Sequence, residues 1–220
     1  MKRLISMLGA ALVAAVMTLP SFAADAPKGF FEPAPVPLFQ WSGFYAGING
    51  GYGWGQSNWS AGSGSPAGGL IGGTIGFNVQ TGAIVFGAEG DIDASWIRGT
   101  NSGGAGVCGG GACEFQNSWI ATARGRVGYA FDRALFYVTA GGAFGDMQIL
   151  ANGLTQTTGR AGWTIGAGLE YEVLGPWSAK LEYLYVDLGD ANCGAATCGV
   201  STTVNFNTSI FRFGINYRFW

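Results

Sequence analysis

The fold prediction for this chain starts from the segment Ile84-Val-Phe-Gly-Ala-Glu-Gly-Asp-Ile-Asp-Ala-Ser-Trp96. Its three acids, Glu89, Asp91 and Asp93, all occupy odd-numbered positions, whereas every even-numbered position is apolar or glycine. Because successive side chains of a β-strand point to opposite faces, a strand here has one charged face and one apolar face. A soluble sheet also has one polar face, so the alternation alone does not say which face meets water.

The same separation of charged and apolar residues recurs in later segments, and no charge falls on any apolar face. The charged positions that share the polar faces are Glu89, Asp91, Asp93, Arg124, Arg126, Glu170, Glu172, Lys180, Glu182, Arg212 and Arg218. The numbers of acids and bases in this set are nearly equal.

The first residues have the pattern of an export signal. Lys2 and Arg3 precede an apolar run over residues 4–19, and the small residues Ser21 and Ala23 follow. We predict a signal peptide over residues 1–23 that is cleaved after Ala23. The alternative is a membrane anchor, but the run is shorter than the roughly 20 residues that a spanning helix needs. No other apolar run approaches that length, which excludes a helical membrane protein.

Residues 24–40 contain four prolines, which favour an extended segment. We predict a Pro-rich periplasmic tether here, and a proline ligand for a partner is the alternative. The rest of the chain, residues 41–220, is predicted to be one domain.

Composition places this domain in an apolar environment. The chain has 40 Gly, only 11% charged residues and a net charge of -2, whereas soluble domains carry about 25% charged residues. The near-neutral balance gives no electrostatic footprint for nucleic acid, so we expect no nucleic-acid partner.

Eight alternating segments follow, at about 41–54, 68–79, 83–97, 117–131, 134–146, 160–173, 177–187 and 203–219. Short turns at residues 80–82, 132–133 and 174–176 alternate with long connections at about 55–67, 98–116, 147–159 and 188–202. This alternation is typical of outer-membrane barrels, which have short periplasmic turns and long extracellular loops. We predict an all-β fold, an eight-stranded antiparallel up-and-down transmembrane β-barrel with both termini in the periplasm.

The aromatic residues support the membrane over a secreted soluble β-protein. One set falls near the edge of the long connections: Trp54, Trp96, Trp119, Phe144, Trp163 and Tyr185. The other falls near the edge of the short turns: Phe44, Phe77, Phe86, Phe131, Phe136, Tyr171, Trp177, Tyr217 and Phe219. Bilayer interfaces select two such girdles.

Several motifs resemble one protein family. They are residues 41–55 (WSGFYAGINGGYGWG), 75–79 (IGFNV), 87–91 (GAEGD) and 213–219 (FGINYRF). They are similar to the small outer-membrane proteins of alphaproteobacteria, the 25/31-kDa outer-membrane immunogen group, within the wider family that includes the OmpA membrane domain. The resemblance implies an eight-stranded barrel, envelope integrity and exposure at the cell surface.

In such barrels the last strand ends on an aromatic residue that the barrel-assembly machinery reads. Tyr217 and Phe219 have the parity of the apolar face, and Trp220 is an extra residue beyond it. We therefore assign the assembly signal to Tyr217 and Phe219.

Eight strands leave an interior just wide enough for side chains to fill. Charges withdrawn from water persist only when paired and hydrogen-bonded, so we predict that the inward charges form ion pairs between neighbouring strands and plug the barrel. The alternative is a narrow pore that passes ions or small solutes.

Four cysteines form two matching pairs, Cys108 with Cys113 and Cys193 with Cys198. In an exported protein they indicate disulfides, for which we favour one bridge within each pair, with pairing between the loops as the alternative. With no His in the chain, we expect no metal site and no cofactor.

An enzyme is the least supported class, because the usual general base is missing and no Ser sits beside a substitute. We predict a monomeric structural barrel in outer-membrane lipid, whose loops face outward. Their ligand does not follow from the sequence.

Overall fold

The computed structural model describes residues 39–59, 62–101, 113–151, 154–193 and 202–219. The strands are β1 (Gly43–Trp59), β2 (Gly62–Gly64), β3 (Ala67–Thr81), β4 (Ile84–Asn101), β5 (Cys113–Phe131), β6 (Ala134–Ala151), β7 (Leu154–Leu174), β8 (Trp177–Cys193) and β9 (Thr202–Arg218). All neighbours pair antiparallel, and β1 also pairs with β9. Eight long strands therefore form a closed ring, which confirms the predicted barrel, while β2 is a short addition to β1. In the described part of the chain, no helix is long and apolar enough to cross a membrane.

Three tight turns join the strands at one end, which we call the short-turn end. Each has two residues, and the first of these has a positive φ: 62° at Gly82, 52° at Asp132 and 55° at Gly175. Glycine adopts this conformation without a Cβ clash, and Asp is among the few other residues that tolerate it. The predicted short turns are therefore present.

At the opposite, long-connection end the strands run further than predicted. The segment 147–159, predicted as a loop, is almost wholly paired, and the β6–β7 ladder continues to Ala151 opposite Leu154. The predicted loop 55–67 contains β2, which pairs with the end of β1. The loops predicted at 98–116 and 188–202 likewise lose residues to β4, β5, β8 and β9. Backbone hydrogen bonds need no apolar side chain, so the polar composition of these segments did not end the ladders.

A bulge in β5 reshapes the wall near the long-connection end. The β5–β6 register shifts between Gln116 and Ile120. The carboxylate of Asp146 on β6 accepts the backbone N–H groups of Ser118 and Trp119 there, at 2.8 and 3.1 Å. A bulge leaves backbone groups unpaired, and Asp146 satisfies two of them.

The apolar faces of the strands point outward, as the predicted membrane barrel requires. Large outward side chains remain exposed, for example Ile48 and Ile75, each at 69%. Aromatic rings contact each other on this surface at both ends. The ring centroids of Phe44 and Phe77 lie 4.6 Å apart at the short-turn end, and those of Trp163 and Tyr185 lie 5.6 Å apart toward the long-connection end. An apolar exterior bounded by aromatic residues suits a bilayer.

The predicted signal peptide with its cleavage after Ala23, and most of the predicted tether, lie outside the described residues. Phe39, at the end of the predicted tether, packs against Trp41, with ring centroids 4.9 Å apart. Trp41 itself precedes β1 and is fully buried. Phe39 and Gln40 are thus the part of the predicted tether that the structure describes.

Candidate functional site

The centre of the barrel contains a network of charged side chains, in which Arg124 on β5 contacts three carboxylates. Its guanidinium lies 2.5 Å from Glu89, 2.8 Å from Asp91 and 3.1 Å from Glu182. Glu89 is directly opposite Arg124 in the β4–β5 register, whereas Glu182 reaches it from β8. The planar fork of arginine suits contacts with several carboxylates.

Arg212 on β9 has a similar role on the other side. It contacts Asp91 at 2.9 Å, Asp93 at 3.1 Å and Glu182 at 2.7 Å. Glu182 is its neighbour in the β8–β9 register, and the two aspartates belong to β4. Arg212 thus ties two distant strands together across the interior.

Two further pairs in the centre join more distant strands. Lys180 contacts Glu89 at 2.9 Å, and Arg126 contacts Glu170 at 3.0 Å. Neither pair links adjacent strands. Lys180 lies opposite Glu170 in the β7–β8 register, but its ammonium donates to Glu89 on β4. The predicted pairing between these neighbouring strands is therefore not the one found, since a narrow interior brings long side chains from opposite walls within reach.

Neutral side chains donate further hydrogen bonds to four of these carboxylates, and the sequence reasoning missed them. The donors are Tyr45 to Glu89 at 2.8 Å, Thr122 to Asp91 at 2.7 Å, Tyr137 to Glu182 at 2.8 Å, Ser178 to Glu170 at 2.6 Å and Asn216 to Glu170 at 2.9 Å. Thr122, Ser178 and Asn216 share the inward parity of the charges on their strands, and that parity is the signal that identifies these three. Tyr45 has no such signal, because β1 carries no charge, and Tyr137 has the opposite parity to the one charge of β6, Asp146.

The structure brings together Glu89, Asp91, Asp93, Arg124, Arg126, Glu170, Lys180, Glu182 and Arg212, which we call the charged layer. Two predicted members lie elsewhere. Glu172 faces Arg133 at 3.6 Å, where Arg133 is 52% exposed. Arg218 donates to the backbone carbonyl of Gln40 and lies over the rings of Phe39 and Trp41. Both residues are close to the short-turn end, where water and the N-terminal segment offer other partners.

Water is excluded from the charged layer. The side chains in its ion pairs are at most 3% exposed. Inward glycines leave room for them: a Cβ on Gly72 would lie 2.0 Å from the Asp93 carboxylate, and one on Gly47 would lie 2.1 Å from the Asn216 amide oxygen. Glycine at these positions allows the long polar side chains to fill the interior.

An apolar cluster closes the interior on the short-turn side. This short-turn layer consists of Trp41, Val85, Ala130, Leu135 and Tyr137, all at most 4% exposed. The sequence reasoning assigned no interior role to Trp41, because it counted that residue as part of the first strand.

A second apolar set lies inside the barrel toward the long-connection end. This long-connection layer consists of Leu70, Ile97, Ile120, Leu184, Val186, Leu188 and Ile210, all at most 4% exposed. On β4, β5, β8 and β9 these residues lie on the long-connection side of the charges. The charged layer is therefore bounded by apolar side chains in both directions.

The cysteine prediction falls largely outside what the structure describes. Cys108 and Cys198 lie in undescribed ranges, and for Cys113 and Cys193 only the backbone is described, at strand ends. Among the described residues, no cluster of acids or cysteines has the arrangement of a metal site. Tyr217 and Phe219 face outward with ring centroids 5.2 Å apart, and Trp220 is not described.

A closed antiparallel ring with an apolar exterior and a charged interior defines the class: this is a transmembrane β-barrel. The family model of the outer membrane protein beta-barrel domain matches residues 9–219, and the chain belongs to that family. The protein is accordingly an outer-membrane protein.

The sequence similarity to its relatives extends over almost the whole chain. It is 36% identical to a 31 kDa outer-membrane immunogenic protein of Brucella melitensis biotype 1, over 95% of this chain and 98% of the relative. It is also 36% identical to a 25 kDa outer-membrane immunogenic protein of the same organism, over 90% and 91%. The crystal structure of the outer membrane protein OprG from Pseudomonas aeruginosa superposes with a TM-score of 0.50 at 12% identity, covering 81% of this chain and 97% of that one, which supports the fold alone.

Proposed function

We propose that this protein is a sealed structural barrel that contributes to the integrity of the outer membrane and presents its long-connection end to the outside. The observation that carries the proposal is the burial of the charged layer between two apolar layers. A water-filled channel would leave its lining side chains accessible, yet those of the ion pairs are at most 3% exposed. The interior thus has the properties of a core.

Surface exposure is supported by both the strand lengths and the relatives. The strands continue beyond the outward aromatic residues of the long-connection end, as with β4, which ends at Asn101, five residues after Trp96. The two Brucella relatives are named immunogenic outer-membrane proteins. A non-enzymatic role fits these names and the absence of His.

Planar-bilayer conductance of the refolded mature protein tests the sealed interior. Unheated gel mobility first establishes that the sample is folded, and a porin of known conductance, measured in the same bilayers, establishes that openings are detectable. We expect no discrete current steps. Reproducible openings would overturn the proposal and favour a narrow pore, with Arg124, Arg126 and Glu89 as its first lining candidates.

Biogenesis and oligomeric state complete the proposal. The ring leaves no unpaired edge between β1 and β9, so a monomer in outer-membrane lipid needs no partner strand. We assign recognition by the barrel-assembly machinery to Tyr217 and Phe219, after export by the signal peptide over residues 1–23.

Deletion of Trp220 tests this assignment. We expect unchanged assembly, because the backbone N–H of Phe219 already pairs with Phe44 at the end of the ring. The measurement is the amount of heat-modifiable protein in outer-membrane fractions, with Phe219→Ala as the matched variant that should reduce it. Periplasmic accumulation after deletion of Trp220 would include that residue in the signal.

A further inference from the structure

The chain enters the barrel through a segment that lies outside the strand ladder. Residues 39–42, which we call the plug segment, precede β1, which begins at Gly43. Gly43 has a φ of 125°, a conformation that L side chains rarely adopt. The backbone therefore turns at a glycine between the wall of the barrel and the segment that fills its mouth.

Burial of one aromatic side chain holds the plug segment inside. Trp41 is fully buried in the short-turn layer, where it packs with Val85, Ala130, Leu135 and Tyr137. Its indole N–H is buried without a hydrogen-bond partner among the described residues. An unpartnered donor disfavours the buried position of Trp41.

A few contacts at the rim of the barrel also hold the plug segment in place. The backbone N–H of Trp41 donates to the Gln80 side chain at 2.6 Å, and the N–H of Gln80 donates to the Ser42 hydroxyl at 2.9 Å. On β9, at the other side of β1, the guanidinium of Arg218 lies 4.1 Å from the ring centroid of Phe39 and 4.9 Å from that of Trp41. The partners of the plug segment are thus Gln80 at the end of β3 and Arg218 at the end of β9, and Arg218 also pairs with Tyr45 in the β1–β9 ladder.

We propose that the plug segment is a separable plug, which swings out about Gly43 and uncovers the short-turn half of the interior while the eight-stranded ring stays closed. Ring closure does not depend on the segment, because the β1–β9 ladder begins at Tyr45 opposite Arg218. Conductance need not follow opening, since the long-connection layer stays in place.

Cysteine accessibility tests the proposal in the full-length mature chain. Cys108, Cys113, Cys193 and Cys198 are first replaced by Ala. Val85→Cys then places a thiol in the short-turn layer, and Val186→Cys, in a separate chain, places one in the long-connection layer as the matched control. Both valines are 1% exposed. The rate of modification by a charged methanethiosulfonate reagent is measured on refolded protein in detergent.

With Trp41 present, both thiols should react slowly. Trp41→Ala should accelerate the reaction at position 85 by about tenfold or more and leave position 186 slow, because local opening exposes only the groups that the plug covers. Trp41→Phe, which keeps an aromatic ring, should preserve most of the protection.

Gly43→Ala gives an independent second variant, since it removes no contact of Trp41 but strains the turn that directs the plug inward. It should accelerate modification at position 85 as well. Equal rates at position 85 with and without Trp41, or acceleration at position 186 together with position 85, would overturn the proposal. The first result would show that the segment does not close the mouth, and the second that the barrel loosens as a whole.

Discussion

The centre and the two ends of the interior are built on the same inward-facing positions, but different forces hold them. In the centre most charges have several partners, such as the three carboxylates that contact Arg124. At the ends, residues such as Leu135 and Ile97 have no polar partner and are held by burial alone. The difference predicts that removing one central side chain leaves neighbouring charges buried with fewer partners. Shortening an end side chain should remove only the packing contacts of that side chain.

Arg124→Ala is the strongest test of this difference. It leaves Glu89, Asp91 and Glu182 buried with one partner fewer, and removal of one member of a buried ion pair typically costs about 3–5 kcal/mol of unfolding free energy. The measurement is the urea midpoint of the refolded barrel in detergent, together with the temperature at which the folded gel band disappears. We expect both to fall.

Arg133→Ala is the matched control, because its contact with Glu172 is 3.6 Å long and Arg133 is 52% exposed. Such a surface pair contributes less than about 1 kcal/mol. Equal midpoints for Arg124→Ala and the unmodified chain would show that the centre is not an interdependent network.

Tyr137→Phe probes the boundary between the two regions. The ring of Tyr137 belongs to the short-turn layer, and its hydroxyl donates to Glu182 in the charged layer at 2.8 Å. Removing the hydroxyl keeps the apolar packing and deletes one hydrogen bond to a charged group, which costs about 1.5–3 kcal/mol.

Tyr171→Phe is its control, since Tyr171 is 50% exposed on the outer surface. We expect a lower urea midpoint for Tyr137→Phe and almost no change for the control. Similar midpoints for the two variants would show that the charged layer does not extend to the aromatic end.

The alternation in the sequence predicted which charges share one face of each strand, because side-chain direction in a strand follows from parity alone, and the predicted barrel turned that face inward. It did not predict their partners. Lys180 lies opposite Glu170 but bonds to Glu89, and that choice depends on the tilt and stagger of the ring, which place β4 and β8 across a narrow interior.

The apolar ends escaped the sequence analysis because there the alternation fails. Around Trp96-Ile97 and Leu184-Tyr185-Val186 both faces of the strand are apolar, one toward the exterior and one toward the interior. A search for polar inward faces passes over such positions, although consecutive apolar residues near the end of an amphipathic strand are themselves a signal of a closed interior.

Ile97→Val and Ile92→Val give the smallest and most closely matched test. Both residues lie on β4, but Ile97 is 1% exposed inside the barrel and Ile92 is 63% exposed on the outer surface. Loss of one buried methylene group costs about 0.5–1.5 kcal/mol, so Ile97→Val should lower the urea midpoint slightly. Ile92→Val should change it less, because hydrocarbon replaces the lost contact. A shift for Ile97→Val as large as that of Arg124→Ala would remove the distinction between centre and ends, since the end side chains would then also act through their neighbours.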